Sequence, residues 1–403
     1  MAWSSPGFGL YRTALRMLLG DKVKCLGLVF GVALSTLLIC QQVSIFIGLL
    51  GRASSAIDDV TEADVWVMDP AVKTVDVPYP LRDTALQRVR GVEGVAWAVP
   101  FFKAQAQVRT RSGTLENALI FGADDATLVG VPDTFVLGSV DDLMLPEAIA
   151  VNPAGFRLLF PGEELDTGRV IELNDRRARI VAVVDAAPAF AANLSIYTRY
   201  SLATAYTNGG RNRLSFVLVK AEEGFASEIG AEAPDAEGAD AAAVAQRITE
   251  RTDLKAETRD DFRWMSIAYI LANTGIPVSF GTVVILGVVI GVAIVGLTFN
   301  QFVSENLKQY AALKAIGVRN GKLLAMTLFQ AAFVGVIGYA LGLVAAACFF
   351  SFGAANSDAL RGFYLLPTVA VGVAVLAALI VIVSTVVSMR RVLTVDPATV
   401  FRG

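Results

Sequence analysis

Four long apolar runs dominate the chain, one near the N-terminus and three close together in the C-terminal third. They are Cys25–Leu50, Pro277–Thr298, Leu323–Phe350 and Leu365–Val387. A helix needs about 20 apolar residues to cross a bilayer core of about 30 Å. None of the runs contains Asp, Glu, Lys or Arg, and one such residue at mid-membrane costs roughly 2.5–3.5 kcal/mol on insertion scales. The pattern therefore predicts a membrane α-helical protein with four transmembrane helices in a one-plus-three arrangement.

The residues between the first and second runs have the pattern of a water-soluble α/β domain. Short alternating segments predict strands, and turn residues between two pairs of them predict β-hairpins. The predicted strands are Ala63–Met68, Gln105–Thr110, Leu115–Phe121, Val170–Leu173, Ala178–Val184 and Arg213–Lys220, and the predicted helices are Leu81–Val89 and Ala242–Arg251. The segment Glu222–Ala241, rich in Ala, Glu, Asp and Gly, is expected to be a solvated loop rather than a docking tail.

The helices that flank this insert look longer than a bilayer requires. The first run continues past Gln41 and Gln42 to Leu50, and apolar residues from Phe262 to Leu271 recur with helical spacing before Pro277. Two helices extended outward as a stalk would explain both features. A tilted span together with an interfacial helix is the alternative.

These patterns divide the chain into nine segments, of which the insert is an extracytoplasmic α/β domain between transmembrane helices 1 and 2. The segments are a cytoplasmic N-terminal segment 1–24, transmembrane helix 1 at 25–50, the α/β domain 51–265, the stalk and transmembrane helix 2 at 266–300, a cytoplasmic coupling helix 301–322, transmembrane helix 3 at 323–350, a short extracytoplasmic loop 351–364, transmembrane helix 4 at 365–388 and a cytoplasmic tail 389–403.

The positive charges predict the orientation of the spans. They precede the first run, fill the link between the second and third, and follow the fourth, at Arg12, Arg16, Lys22, Lys24, Lys308, Lys314, Arg319, Lys322, Arg390, Arg391 and Arg402. The positive-inside rule places all three segments, and so both termini, in the cytoplasm. The first run resembles a signal peptide at first sight, but it is longer than the h-region of about 7–15 residues. We therefore expect an uncleaved span.

The composition narrows the function. The chain is 55% hydrophobic and 18% charged with a net charge of −3, which argues against a nucleic-acid partner. Histidine is absent, so the commonest general base and metal ligand is missing. The three cysteines, Cys25, Cys40 and Cys348, fall in or beside predicted spans and are expected to pack as small apolar residues. Trp66 and Trp97 are likewise expected in a hydrophobic core rather than at a cofactor.

The link Glu305–Lys322 is the most informative polar stretch. Leu307, Tyr310, Ala311, Leu313 and Lys314 predict a short amphipathic helix on the inner membrane surface, and Gly317 is suited to end it in a left-handed conformation. The stretch Gly317–Leu323 superficially resembles a phosphate-binding loop. Its glycines are one residue too close and no Ser or Thr follows the lysine, so nucleotide binding is not expected.

Glycines four residues apart occur in the spans and allow two helix backbones to approach closely. The pairs are Gly27 with Gly31, Gly287 with Gly291, and Gly338 with Gly342. They fit packing within one subunit, and the alternative is self-association across a dimer interface.

Three motifs resemble MacB/FtsX-type (type VII) ABC transporter permeases. Gln309–Val318 is similar to the family's coupling segment, Arg390–Ala398 to its C-terminal ending, and Gly168–Asn174 with Ile180–Val184 to its extracytoplasmic hairpin. Within the family, the residues from Ala14 to Lys22 and the stretch Leu313–Gly317 of the coupling segment most resemble the DevC-like subfamily. Gln309 stands where the family usually has Glu, Arg169 where it has Asp, and Asp175 in place of the turn glycine.

The resemblance implies roles for two sets of residues. The set that would contact an ATPase is Glu305, Lys308, Gln309, Tyr310, Leu313, Lys314, Ile316, Gly317 and Arg319. The set in the tail is Arg390, Arg391, Asp396 and Pro397. No catalytic, cofactor or metal site is expected on this chain, because ATP and Mg²⁺ would be bound by the partner ATPase.

The resemblance implies that the chain is the permease subunit of an ABC exporter in the bacterial inner membrane. A separate ATPase dimer would drive it, and its large domain would be periplasmic. The resemblance further implies a second permease copy, a periplasmic membrane-fusion adaptor, possibly an outer-membrane channel, membrane lipids and a lipid, peptide or drug-like substrate. The alternative is an FtsX-like mechanotransmitting scaffold that regulates an extracytoplasmic hydrolase or sensor. A membrane enzyme has little support without histidine or a clustered acidic pair in the spans.

Overall fold

The structure is a computed structural model that describes residues 6–207, 213–228, 236–356, 360 and 363–394. It divides into two compact units. One, here called the helical unit, contains Met1–Gly48 and Gly275–Gly403; the other, here called the inserted domain, contains Leu49–Thr274.

The elements are numbered in chain order. The helices are α1 Pro6–Gly20, α2 Lys22–Asp58, α3 Thr84–Arg90, α4 Pro153–Leu159, α5 Tyr200–Tyr206, α6 Phe225–Glu228, α7 Ala236–Thr252, α8 Arg259–Asn273, α9 Ile276–Glu305, α10 Leu307–Ala315, α11 Asn320–Asn356 and α12 Pro367–Thr394, with a 3₁₀ turn at Val140–Met144. The strands are β1 Val65–Met68, β2 Leu81–Arg82, β3 Val95–Arg109, β4 Leu115–Ala123, β5 Phe135–Leu137, β6 Ala148–Val151, β7 Val170–Leu173, β8 Arg176–Val184, β9 Leu194–Arg199, β10 Arg213–Leu214, β11 Phe216–Ala221 and β12 Lys255–Thr258.

Among the described residues, four helices are long and apolar enough to cross a membrane: α2, α9, α11 and α12. The helix that contains the first predicted span, 25–50, is longer than that segment, because α2 runs unbroken for 37 residues. At about 1.5 Å per residue this helix is about 55 Å long, well beyond the bilayer core. It begins in the helical unit and ends in the inserted domain.

The segment 266–300, predicted as the stalk and transmembrane helix 2, is divided between two helices. α8 ends at Asn273, Thr274 has extended backbone angles, and α9 starts at Ile276 with Pro277 in its first turn. Proline lacks an N–H to continue a preceding helix and disfavours the helical conformation just before it. Two further boundaries also differ, since α9 continues to Glu305 inside the predicted coupling segment, and α11 continues to Asn356 inside the predicted loop 351–364.

The described part of the inserted domain contains twelve strands, and ten of them form one mixed sheet. Its order is β12-β1-β11-β3-β4-β9-β6-β8-β5, and β7 pairs with β3 and β8. The pairs β4 with β9 and β6 with β8 are parallel, and the others are antiparallel. β2 and β10 form a separate small pair.

Strand β3 connects the two halves of this sheet. Its residues from Val95 to Phe101 pair with β11, whereas those from Phe102 to Arg109 pair with β4. We call β12, β1 and β11 with α3, α6 and α7 the first half, and β4, β9, β6, β8 and β5 with α4 and α5 the second half. The two halves therefore share a single continuous strand.

A core of aromatic side chains lies on the face of the sheet that is covered by α8 and the end of α2. Trp66 is fully buried there, with its ring centroid 5.4 Å from those of Phe101 and Phe216 and 5.6 Å from that of Phe262. Trp97 packs against the same cluster and is partly buried. Both side chains thus occupy core positions, in line with the expectation from sequence.

Both predicted hairpins form, with differences at their turns. β3 pairs with β4 as predicted, but starts ten residues earlier than the predicted segment Gln105–Thr110. The β7–β8 turn is only Asn174-Asp175, with φ of 47° and 60°, because Arg176 and Arg177 already pair with β7. Such positive values are typical of a two-residue hairpin turn, and Asp175 tolerates them in place of glycine.

Three other predicted segments are corrected by the structure. The predicted helix Leu81–Val89 begins as the short strand β2, and α3 starts only at Thr84. The strand Arg213–Lys220 is divided at Ser215 into β10 and β11. The segment Glu222–Ala241, expected as a loop, contains α6 and the start of α7, with 229–235 outside the described residues. Asp240 holds these helices together, because its carboxylate accepts hydrogen bonds from the backbone N–H groups of Gly224 and Ala226 at 2.8 Å.

Candidate coupling surface

The link between α9 and α11 contains a short helix with a defined end. In α10, the N–H of Gly317 donates to Lys314 O at 3.1 Å, and the N–H of Val318 donates to Leu313 O at 3.1 Å. Gly317 has φ of 95°. These two bonds form a Schellman motif. Leu313 and Val318 both pack against the surrounding hydrophobic cluster.

One face of α10 is fixed inside the helical unit. Tyr310 is fully buried, and its hydroxyl lies 3.4 Å from Gln330 Oε1 on α11. The Gln330 amide in turn donates to the carbonyl of Ala14 on α1 at 2.6 Å. Burial raises the pKa of Tyr310 to about 12. Ala311 is also buried beside Tyr310, so α10 is held against α1 and α11 rather than lying free.

The opposite face of α10, together with the residues that follow the helix, exposes both apolar and polar side chains. Ile316, directly after the helix, is 78% exposed. Lys308, Gln309 and Arg319 are exposed as well. We call these four residues the coupling surface. Of the other residues predicted to contact an ATPase, Tyr310 is buried, and Leu313 and Lys314 are half-buried.

Glu305 is engaged within the helical unit. Its carboxylate forms an ion pair with Lys24, which also pairs with Asp21 in the connection between α1 and α2. Gln301 donates to Glu305 at 3.2 Å. The nearby ammonium group lowers the pKa of Asp21. The network joins the start of α2 to the end of α9, a pairing that the sequence did not reveal because 281 residues separate Lys24 from Glu305.

Comparison with known proteins identifies this architecture. Residues 25–251 match the MacB-like periplasmic core domain, and residues 281–397 match the FtsX-like permease C-terminal domain. The chain belongs to the MacB/FtsX family of permeases. No curated protein matches it in sequence.

Two solved structures resemble parts of this permease. The extracellular domain of the noncanonic ABC-type transporter YknZ from Gram-positive bacteria is 14% identical, covers 49% of this chain and 98% of its own, and gives a TM-score of 0.34. The periplasmic region of MacB from Actinobacillus actinomycetemcomitans is 14% identical, covers 53% of this chain and 94% of its own, and gives a TM-score of 0.35.

In this permease the paired glycines lie where helices of the same subunit meet. A Cβ atom at Gly31 would fall 2.6 Å from Ile294 Cγ2, and one at Gly291 would fall 2.5 Å from Ser35 Oγ. An added Cβ atom at the other four glycines would also lie close to a neighbouring helix. The distances would be 2.6 Å from Gly338 to Val32 Cβ, 2.5 Å from Gly342 to Ala33 O, 3.1 Å from Gly287 to Ile39 Cγ1 and 3.7 Å from Gly27 to Thr298 Cγ2. All of these close approaches involve α2 and lie within one chain.

The tail residues of the permease are only partly described. Arg390 is exposed near the end of α12. The backbone of Arg391 lies in the same helix. Asp396 and Pro397 lie outside the described residues. Their predicted contact with an ATPase therefore stays a prediction, as it does for the residues of the coupling surface.

The described residues contain no group of three or more acidic or cysteine side chains placed to hold a metal ion. The cysteines are free thiols with different environments: Cys40 is buried, Cys25 is half-buried and Cys348 is exposed. Cys348 lies in α11, one of the four helices long and apolar enough to cross a membrane.

Proposed function

We propose that this chain is the permease subunit of a type VII ABC exporter, and that a separate ATPase binds at the coupling surface. The observation that carries the proposal is Ile316, which is 78% exposed at the end of a helix whose opposite face is fixed by Tyr310. The same segment exposes the polar side chains of Lys308, Gln309 and Arg319. An exposed aliphatic residue together with exposed polar residues has the composition of a docking surface for another protein.

The chemistry of the cycle belongs to that partner. ATP and Mg²⁺ would be bound and hydrolysed by the ATPase, and this chain would convert the resulting movement into work. Two permease copies and two ATPase subunits would form the complex, in the manner that the family implies. The substrate would be a lipid, a peptide or a drug-like molecule, handed to a periplasmic adaptor and possibly to an outer-membrane channel.

Helix α2 is the element suited to carry movement to the outer side. It is one unbroken helix of 37 residues, and Lys24 near its start pairs with Glu305 at the end of α9. α9 and α8, by contrast, are separated by the break at Thr274 and Gly275. A continuous helix transmits a displacement along its axis, whereas a break allows rotation.

The proposal is tested by replacing Ile316 with Asp and measuring co-purification of the ATPase encoded beside the gene. The free chain should fold normally, because the side chain is already 78% exposed. We expect at least a tenfold loss of bound ATPase, since a charge would have to be desolvated at the interface. Leu115→Asp is the matched control, as Leu115 is 55% exposed in the inserted domain.

Full ATPase binding by I316D would contradict the proposed docking surface. ATP hydrolysis by the purified chain alone would contradict the assignment of the chemistry to a partner. Reconstitution into proteoliposomes distinguishes the export role from the scaffold role. ATP-dependent extraction of lipid supports export. Nucleotide-dependent activation of a cell-wall hydrolase without lipid extraction would replace export with the scaffold role.

A further inference from the structure

One peptide group in the inserted domain is held from two directions. The N–H of Val75 donates to Ser266 Oγ on α8 at 3.1 Å, and the carbonyl of Val75 accepts a hydrogen bond from Lys103 Nζ on β3 at 3.0 Å. Val75, Ser266 and the Lys103 side chain are all buried, the last with only 1% exposure. Val75 therefore connects α8 with β3, the strand that the two halves of the sheet share.

The helix end of this connection continues to α2. Arg263, one turn before Ser266 on α8, forms an ion pair with Asp58 at 3.0 Å, and Arg259 donates to the Asp58 carbonyl at 3.4 Å. Asp58 is the last residue of α2. Residues three apart lie on neighbouring positions of one helix face, so the same side of α8 contacts both α2 and Val75.

The strand end lies where β3 passes from one half of the sheet to the other. Phe101 pairs with β11 and Phe102 with β4, and Lys103 follows directly. Its backbone N–H donates to Ser215 Oγ at 2.9 Å, and the Ser215 hydroxyl donates to the Lys103 carbonyl at 3.1 Å. Ser215 is the residue that separates β10 from β11. Lys103 thus sits at the crossing point of the domain.

The buried ion pair of Lys103 with Asp76 is expected to add little to the stability of the fold. Lys103 pairs with Asp76 at 2.6 Å, but the second carboxylate oxygen of Asp76 is buried without a hydrogen-bond partner among the described residues. Burial lowers the pKa of Lys103, an effect that Asp76 opposes. Buried ion pairs generally contribute little net stability compared with apolar side chains. A function in positioning explains their presence better than stability does.

We propose that Val75 carries movement of α8 to the junction between the two halves of the sheet, and that Ser266 and Lys103 are positioning residues for it. This contact acts in addition to the direct packing of Phe262 on α8 against Trp66 on β1. Displacement of α8 would pull the Val75 peptide against Lys103 and so change the angle between the two halves of the inserted domain. The inference rests on the proposed transmission of ATP-driven movement, and it specifies the residues through which that movement passes.

The test measures the distance between the two halves in the complete complex. Nitroxide labels at A242C on α7 and R157C on α4 report on the first and second halves; both positions are exposed, and the native cysteines are replaced by alanine. Pulsed electron resonance is recorded on the permease bound to its co-purified ATPase in nanodiscs, without nucleotide and with ATP and vanadate. The wild type should show a nucleotide-dependent shift in the distance.

Two variants remove the two contacts of Val75. S266A removes the acceptor on α8, and K103M keeps the length of the side chain while removing its donor. Each should reduce the shift at least twofold, and the double variant should be no worse than the more severe single variant, because both act through one peptide. Additive losses or an unchanged shift would overturn the inference.

A control separates positioning from simple loss of stability. Thr198→Val removes a buried hydrogen bond of 2.7 Å to the Ala148 carbonyl in the second half, away from Val75. At an equal fall in thermal midpoint, T198V should retain the full shift. A loss of the shift in T198V would show that any destabilisation suffices and would overturn the inference. A wild-type complex with no shift would instead remove the proposed transmission itself.

Discussion

Tyr197 donates a hydrogen bond of 2.7 Å to Asp59, the residue directly after α2. The tyrosine lies on β9 and is almost fully buried in the aromatic core, with its ring 5.0 Å from that of Phe121. Burial raises the pKa of Asp59 to about 7; the hydrogen bond from Tyr197 opposes that rise, and the nearby carboxylates of Asp58 and Asp185 add to it. The carboxylate of Asp59, which can change its charge near neutral pH, therefore lies where the end of α2 contacts strand β9.

The first prediction is that acid stabilises the inserted domain through Asp59. An Asp in an unfolded chain has a pKa of about 3.9, so the native state binds the proton more tightly. Stability from this group is complete below pH of about 4 and falls as the pH rises towards about 7, by roughly a few kcal/mol at most. Asp59→Asn should abolish this slope in thermal midpoints measured between pH 4 and 8.

Tyr197→Phe supplies the control for this assignment. Removing the donor takes away an interaction that favours the ionised carboxylate, so the pKa of Asp59 should rise further and the loss of stability should extend to higher pH. A slope that is unchanged in D59N would assign the titration to another group.

The second prediction concerns the glycines of α9. Gly291→Val places a side chain against Ser35, whose hydroxyl also donates to the Gly287 carbonyl at 2.8 Å. Overpacking of this kind typically costs about 1–3 kcal/mol, so the thermal midpoint in detergent should fall. Gly281→Val is the matched control, because a Cβ atom there meets nothing within 4 Å. Equal destabilisation by both variants would show that the effect comes from helix propensity and not from contact with α2.

The third prediction is the orientation in the membrane. A cysteine at Arg157 in the inserted domain and one at Arg319 beside α10 should be labelled by an impermeant maleimide from opposite sides, the first from the periplasm and the second only after the inner membrane is opened. Both side chains are exposed. Labelling of the two from the same side would contradict the positive-inside assignment.

Sequence alone predicted those features that follow from local chemistry. The charge-free runs identify the four apolar helices, because a charge in hydrocarbon is costly wherever it occurs. Turn residues at Gly113 and at Asn174-Asp175 locate two hairpins, because few residues tolerate positive φ. Gly317 ends α10 for the same reason.

Features that depend on distant parts of the chain were not predicted. The parallel pairing of β4 with β9 joins segments about 70 residues apart, and no local pattern encodes it. Lys103 precedes the predicted strand Gln105–Thr110, yet in the structure it lies in β3, where its side chain is buried and contacts Asp76 and the Val75 carbonyl. In the sequence, Gln330 is a polar residue within a predicted span. In the structure it forms hydrogen bonds to Tyr310 on α10 and to the Ala14 carbonyl on α1.

The last prediction separates anchoring from docking on α10. Leu313 and Ile316 look equivalent in the sequence, but Leu313 packs in the cluster around Tyr310 and Ile316 is exposed. Leu313→Asp should lower the stability of the helical unit by about 1–3 kcal/mol, because it places a charge in a half-buried apolar contact. Ile316→Asp should change the thermal midpoint little while weakening ATPase binding. Thermal midpoints in detergent and ATPase pull-down on the same preparations distinguish them, and a stable L313D chain that loses its ATPase would move Leu313 to the docking surface.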